Sequence, residues 1–149
     1  MHEALYSKYG FFNNEKVRSQ KGGDFLTSPE VSEYFGKILN KWIQKNNLDL
    51  NITEFGSGTG SLIEQIDSEN KFSVEISSTA RGELSKKNIK NFESLKNLNF
   101  KNSDLVFGNE VLDNIPCSVA IYKDNKWYEK AVNLGEESFS YDFVEARKE

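Results

Sequence analysis

A chain of 149 residues with 37% hydrophobic and 13% aromatic content can bury a real core and is not of disordered composition. Its net charge of −4 argues against a dominant nucleic-acid contact, which shows as a basic excess. The single cysteine, Cys117, excludes an intramolecular disulfide, and with His2 as the single histidine a zinc site or a Ser-His-Asp triad lacks its usual parts. The apolar runs are far too short to span a bilayer, and no cationic stretch with a following apolar run opens the chain. The expectation is a cytoplasmic protein with no metal, no nucleic acid and no membrane as partner.

The opening MHEALYSKYGFF suggests a short helix and then an extended aromatic piece. RSQKGGDFLT reads as a loop, because Gly22 and Gly23 punctuate a polar run. Ser28 is expected to cap a helix that has Pro29 at its first position. Val31, Tyr34, Phe35, Ile38, Leu39, Trp42 and Ile43 then form one apolar stripe on a helix of about 16 residues. Core packing is the expected role of that stripe.

NITEF is the next expected strand, GSLIEQI a helix, and KFSVEIS a second strand. STARGELSKKNIKNF follows as a helix, with Gly82 weighing against it. LNF is expected as a short third strand and DLVFG as a fourth. SVAIYKDNKWYEKAV reads as a hairpin turning at Asp124-Asn125, and ESFSYDFVEARKE as a further strand with a frayed end. Strands alternating with helices imply an α/β fold with a mainly parallel sheet. Ligands of such sheets bind beyond the carboxyl ends of the strands. That selects Glu54 to Gly60, Glu75 to Ser78, and Gly108 to Pro116.

Gly56, Gly58 and Gly60 form G-x-G-x-G. A dinucleotide fingerprint needs G-x-G-x-x-G, and position 61 is Ser. The loop permits close backbone approach and is expected to open a helix whose free N–H groups favour an anionic or zwitterionic ligand. Glu75, ending the second strand, can accept hydrogen bonds from both hydroxyls of a ribose. Glu54, before the loop, can help to hold an ammonium group through an ordered water. A ribose joined to a sulfonium amino acid describes S-adenosylmethionine. A tight turn with incidental surface acids is the plain alternative, and a nucleotide or dinucleotide is another, with Ser61 against it.

FGNEVLDNIP follows the fourth strand. Asn109 offers an acceptor and a donor, and Glu110 and Asp113 would share one side of a helical turn. Paired carboxylates suit a guanidinium and can take a proton from an amine as a methyl group arrives. A helix start with acids favoured by its dipole explains them equally well.

Four blocks taken in order carry a resemblance. GGDFLTSPEVSEYFG resembles G-D-F-x-T-S-P-E, EFGSGTG resembles E-x-G-P-G-x-G, VEISSTAR resembles V-E-x-S-P-x-L-R, and FGNEVLDNIP resembles N-E-x-L-D-A-x-P. The start ALYSKYGFF is similar to A-L-Y-x-x-x-Y-G-Y-Y. Together they resemble the MidA-type S-adenosylmethionine-dependent methyltransferases, the family of the mitochondrial complex I assembly factor that methylates an arginine. The resemblance runs from near residue 4 to about residue 130. It implies a shortened class I methyltransferase (Rossmann-like) sheet, with an N-terminal helical segment and a β-hairpin near the C-terminus. It places Gly23, Asp24, Thr27, Ser28, Glu54, Gly56, Gly58, Gly60, Glu75, Ile76 and Asn109 around S-adenosyl-L-methionine. It puts Asn109, Glu110 and Asp113 at the methyl group and a protein acceptor, and suggests an arginine.

One domain over residues 1–149 is expected, with a lid segment 1–48, a cofactor-binding core 49–116, and a hairpin and tail 117–149. Ser57 and Ser78 stand where the family has prolines. Family members also continue beyond the matched region. A sheet ending at its fourth strand leaves an edge and an apolar face to be covered by the hairpin and tail, a homodimer or a second chain. A non-catalytic binding or assembly module is the competing function.

Overall fold

A computed structural model describes residues 1–13, 23–24, 26–46, 51–99 and 104–146. The expected loop at 18–22 and Phe25, Phe100 of LNF, and the tail end 147–149 lie outside the described residues.

Helix α1 (His2–Tyr6) is followed by turns rather than an extended piece. The expected single helix is two, α2 (Ser28–Val31) and α3 (Tyr34–Lys45). The cap is Thr27, not Ser28. Thr27 forms a capping box with Glu30, with Pro29 in the first turn. Ser32 is extended, and its hydroxyl accepts from the Tyr34 N–H at 3.2 Å. A side chain that satisfies the first N–H of a new helix ends the old one.

The stripe also divides. Ile43 is buried and Leu39 packs beside it, but Val31, Tyr34, Ile38 and Trp42 are 71%, 70%, 69% and 47% exposed. Core packing holds for one edge of the stripe and fails for the other. The inward direction is set by Gly36 and Asn40, which meet Gln65.

Strands β1 (Ile52–Phe55), β2 (Lys71–Val74), β3 (Lys90–Phe92) and β4 (Leu105–Phe107) pair in parallel in the order β3-β2-β1-β4. Helix α4 (Ser78–Lys86) joins β2 to β3 and runs through Gly82. The third strand is thus KNF rather than LNF, because α4 ends at Lys86 and leaves residues free to pair with β2. GSLIEQI is no α-helix; it holds a single 3₁₀ turn, Ile63–Gln65. Ile43, Ile52, Leu62, Ile63, Ile66, Leu84 and Ile89 form the core, with Leu39, Leu105 and Phe107 against it.

The chain divides into two compact units, Met1–Ile115 and Pro116–Glu149. The second is an antiparallel sheet of β5 (Ala120–Lys123), β6 (Lys126–Leu134) and β7 (Phe139–Glu145). Asp124 and Asn125 both have positive φ, as a two-residue hairpin turn of this hand requires. These strands form their own sheet and add none to the parallel one. Among the described residues no helix is long and apolar enough to cross a membrane, and no group of three or more His, Cys, Asp or Glu is placed to hold a metal ion.

Candidate functional site at the carboxyl ends of the parallel strands

β1 lies between β2 and β4, so the loop after β1 sits where the strand order reverses. That is the ligand crevice of an open parallel sheet. Gly56, Gly58 and Gly60 have φ of 66°, 53° and 82°. At Gly60 an added Cβ would lie 2.6 Å from Leu84 Cδ2, so this glycine lets α4 pack on the loop. At Gly58 an added Cβ would meet nothing within 4 Å, so the loop there faces open space. Ser57 is buried, and its hydroxyl bonds that of Ser73 on β2, which secures the loop without the family's proline.

Several amides of the loop are already engaged. Gly56 N–H donates to Val74 O, Gly58 N–H to Glu75 Oε2 and Gly60 N–H to Ser57 O, each at 2.8 Å. The 3₁₀ turn supplies no helix N-terminus, and its Ile63 N–H goes to Glu54 Oε2 at 2.9 Å. A polar ligand here meets buried side-chain acceptors as well as the loop backbone.

Those acceptors are two buried carboxyls. Glu75 accepts from Gly58 N–H and from Ser77 N–H, both at 2.8 Å. Burial raises its pKa, against the opposing effect of those amides and of Arg81. A carboxylate has about four acceptor positions, so with the Gly58, Ser77 and Ile76 amides on it acceptor capacity remains for a ribose. Burial pushes Glu54 up to about 8, with the Ile63 amide opposing and the Glu75 charge adding to the rise. Glu54 is therefore largely a neutral acid at pH 7, and a cation beside it would favour its ionised form. Ile76 is exposed, immediately after Glu75. The open surface at Gly58, Glu75 with its remaining acceptor capacity and the cation-responsive Glu54 fit a ribose bearing a sulfonium amino acid.

The segment after β4 closes the third side. Val111 packs on the glycine loop, 2.7 Å from where a Gly56 Cβ would stand. Asn109 Nδ2 donates to Glu110 Oε1 at 3.3 Å, and Ser28 N–H to the same oxygen at 3.5 Å. Glu110 and Asp113 do not share a helical turn. Glu110 has φ of 54°, outside the 3₁₀ turn Leu112–Asn114 that carries Asp113. Asn114 Nδ2 joins them instead, donating to Glu110 O and to Asp113 Oδ1, each at 3.1 Å.

From the N-terminal segment, Glu30 accepts from the Ser61 hydroxyl at 3.4 Å, and Gln65 Nε2 donates to Pro29 O at 2.9 Å. Thr27 and Ser28 are thereby brought beside the glycine loop and Glu110, whereas Gly23 and Asp24 are exposed bends.

Two residues join the site that residue patterning did not single out. Arg81 Nη1 donates to the carbonyls of Glu75 and Ile76 at 2.8 and 2.7 Å, fixing the strand end that presents Glu75. Its position inside VEISSTAR was the available signal. Tyr6 donates its hydroxyl to Asn114 O at 2.7 Å across 108 positions of sequence. Burial, then the charges of Glu75 and Asp113, raise its pKa, so the phenol stays a donor.

Comparison with known proteins bears on the family and the fold. The family described as "Putative S-adenosyl-L-methionine-dependent methyltransferase" matches residues 34–149. Two curated relatives are named "Protein arginine methyltransferase NDUFAF7, mitochondrial". The one from Danio rerio is 41% identical over 51 residues, 30% of this chain and 12% of its own length. The one from Bos taurus is 33% identical over 63 residues, 38% of this chain and 14% of its own. A COG1565 superfamily member from Burkholderia thailandensis, crystallised with S-adenosyl-homocysteine, superposes with a TM-score of 0.77 at 20% identity, covering 99% of this chain and 45% of that one. The fold is therefore a shortened class I methyltransferase fold, and the chain spans under half the length of that solved relative. With the family matched over residues 34–149, this chain belongs to the S-adenosyl-L-methionine-dependent methyltransferases.

Proposed function

We propose that residues 54–60, Glu75 and Ile76 bind S-adenosyl-L-methionine, and that this chain supports methyl transfer to a protein side chain, an arginine in the leading reading. The observation that carries this is the placement of Glu75 against Gly58 at the sheet's reversal point, with open space over that glycine. Glu75 takes the ribose hydroxyls, Ile76 flanks the base, and Glu54 answers the cationic end. Thr27, Ser28 and Asn109 wall the same pocket, and the MidA resemblance assigns Gly23 and Asp24 to it as well. The cofactor supplies an activated methyl group on a sulfonium. The chain contributes by aligning the acceptor and by electrostatics, without a covalent intermediate. Glu110 and Asp113 hold a guanidinium by charge and accept its proton, and Asn109 orients the approaching nitrogen. The relatives' printed activity supports an arginine acceptor, and the MidA resemblance supports a link to complex I assembly.

Calorimetric titration with S-adenosyl-homocysteine tests the pocket, and transfer of labelled methyl to lysate proteins tests the chemistry. Micromolar binding with label on arginine supports the reading, and absence of binding by the folded chain refutes it.

The exposed Val31, Tyr34, Ile38 and Trp42, and the exposed Val106 on edge strand β4, favour a second reading. In it the chain is a binding or assembly module whose sheet is completed by a second copy or another chain. Binding without turnover, with turnover restored by a partner, identifies that case.

A further inference from the structure

The acid loop 108–114 is tethered to the far N-terminus, and the tether ends on Glu110, the acid of this loop with a left-handed backbone. Glu110 is a non-glycine residue at φ 54°, a conformation that persists only when its surroundings enforce it. Its carbonyl accepts from Asn114 Nδ2 at 3.1 Å and its carboxylate from Ser28 N–H at 3.5 Å. Val111 against the glycine loop limits movement toward that side.

Asn114 is held in turn by Tyr6, whose hydroxyl donates to the Asn114 carbonyl at 2.7 Å. That carbonyl ends a 3₁₀ turn and needs an outside donor. Tyr6 is itself presented rigidly. Asn13 Nδ2 donates to its carbonyl at 2.6 Å, and Phe12 stacks on its ring at 5.6 Å between centroids. The segment folds back on α1 through Phe11 N–H to Ala4 O and Phe12 N–H to Leu5 O, each at 2.9 Å. Gly10 makes the fold possible, since a Cβ there would lie 2.6 Å from the Leu5 carbonyl carbon.

We propose that Tyr6 and Asn114 are positioning residues, which hold Glu110 in its left-handed conformation and so aim its carboxylate at the methyl acceptor. This rests on the role given to Glu110 above. Neither residue touches the reacting atoms; each acts through Glu110.

The test is Tyr6→Phe in the full chain, which removes one hydroxyl and keeps the ring stack. The first readout is independent of activity. A positive-φ residue gives a strong intraresidue amide-to-Hα NOE. That of Glu110 should weaken in Tyr6→Phe, with shifts at Asn114 and none at Gly58 or Ser77. The second readout is kinetic. Transfer at saturating cofactor should fall about tenfold, the loss expected for one aligned hydrogen bond. Affinity for S-adenosyl-homocysteine should stay unchanged. Combined with Glu110→Gln, the Tyr6→Phe change should add no further loss, because both act on one group. An unchanged Glu110 NOE overturns the proposal, as does a loss that multiplies fully with that of Glu110→Gln. Asn114→Ala gives the same readout by the second link if Tyr6→Phe does not fold. A wild-type chain without turnover refutes the assigned function, while the NOE still decides the positioning.

Discussion

Two pairs of acids face the same crevice and are held in opposite ways. Glu54 and Glu75 are buried, and backbone amides of the glycine loop and the turns beyond it fix them. Glu110 and Asp113 are exposed and held mainly by side chains, those of Asn109 and Asn114 beside them in the chain, with Tyr6 bracing Asn114 and one backbone amide, Ser28 N–H, reaching Glu110. Backbone-held acids cannot shift without breaking the loop. Side-chain-held acids can adjust when a partner docks. The first arrangement suits a ligand of constant shape, such as a cofactor, and the second an acceptor presented on another molecule.

The comparison breaks most sharply at Gly58. Gly58→Asp puts a carboxylate into the open space over the loop and beside Glu75, at a positive-φ position. Binding of S-adenosyl-homocysteine should weaken more than about 100-fold, on steric and like-charge grounds. Because the added Cβ meets no protein atom within 4 Å, the variant should still melt cooperatively, and calorimetry with circular dichroism checks both points.

Glu110→Gln and Asp113→Asn test the other pair. Each should lower methyl transfer by roughly 10²-fold, the usual worth of a positioned acid-base group, with cofactor affinity unchanged. Parallel loss of affinity would move these acids into the cofactor pair.

Glu54→Gln sharpens the contrast through pH. The folded-state pKa of Glu54 is raised from about 4.5 to about 8, so its contribution to stability is fully present below pH 4.5. It is lost as pH rises toward 8, because the unfolded chain releases the proton first. Gln keeps the Ile63 contact and does not titrate. The Tm of Glu54→Gln minus that of wild type should therefore grow between pH 5 and pH 8 and then level off. A constant difference would mean that Glu54 is ionised in the folded chain.

The smallest effect is expected at Thr27. Thr27→Ala removes the capping box and should cost about 1 kcal/mol in urea unfolding. It should disturb Glu110 through Ser28 while leaving the Gly58–Glu75 contact intact.

The glycine loop was legible because its physics is local. Three positive-φ positions demand glycine, and a strand before the loop puts Glu54 where it is. Glu75 was legible as the end of the next strand. The stripe on α3 shows the limit. Its periodicity identifies apolar faces, but Ile43 turns inward and Ile38 outward because of where Gln65 lies, 22 residues or more downstream. The pair Glu110 and Asp113 shows another. Their spacing fits a helical turn, yet Glu110 is pulled out of it by contacts from Asn114 and Ser28.

The sequence alone therefore determined the parallel α/β class, the hairpin at Asp124-Asn125 and the residues at the strand ends. Each depends on neighbours in the chain: periodicity, turn chemistry and the positive φ that glycine permits. Only the tertiary structure decided that the Gly58 amide goes to Glu75 and the Ile63 amide to Glu54, that Arg81 braces a strand end and that Tyr6 reaches Asn114. Those outcomes depend on contacts between segments up to 108 positions apart, and no local preference encodes which of many possible partners a buried donor will meet.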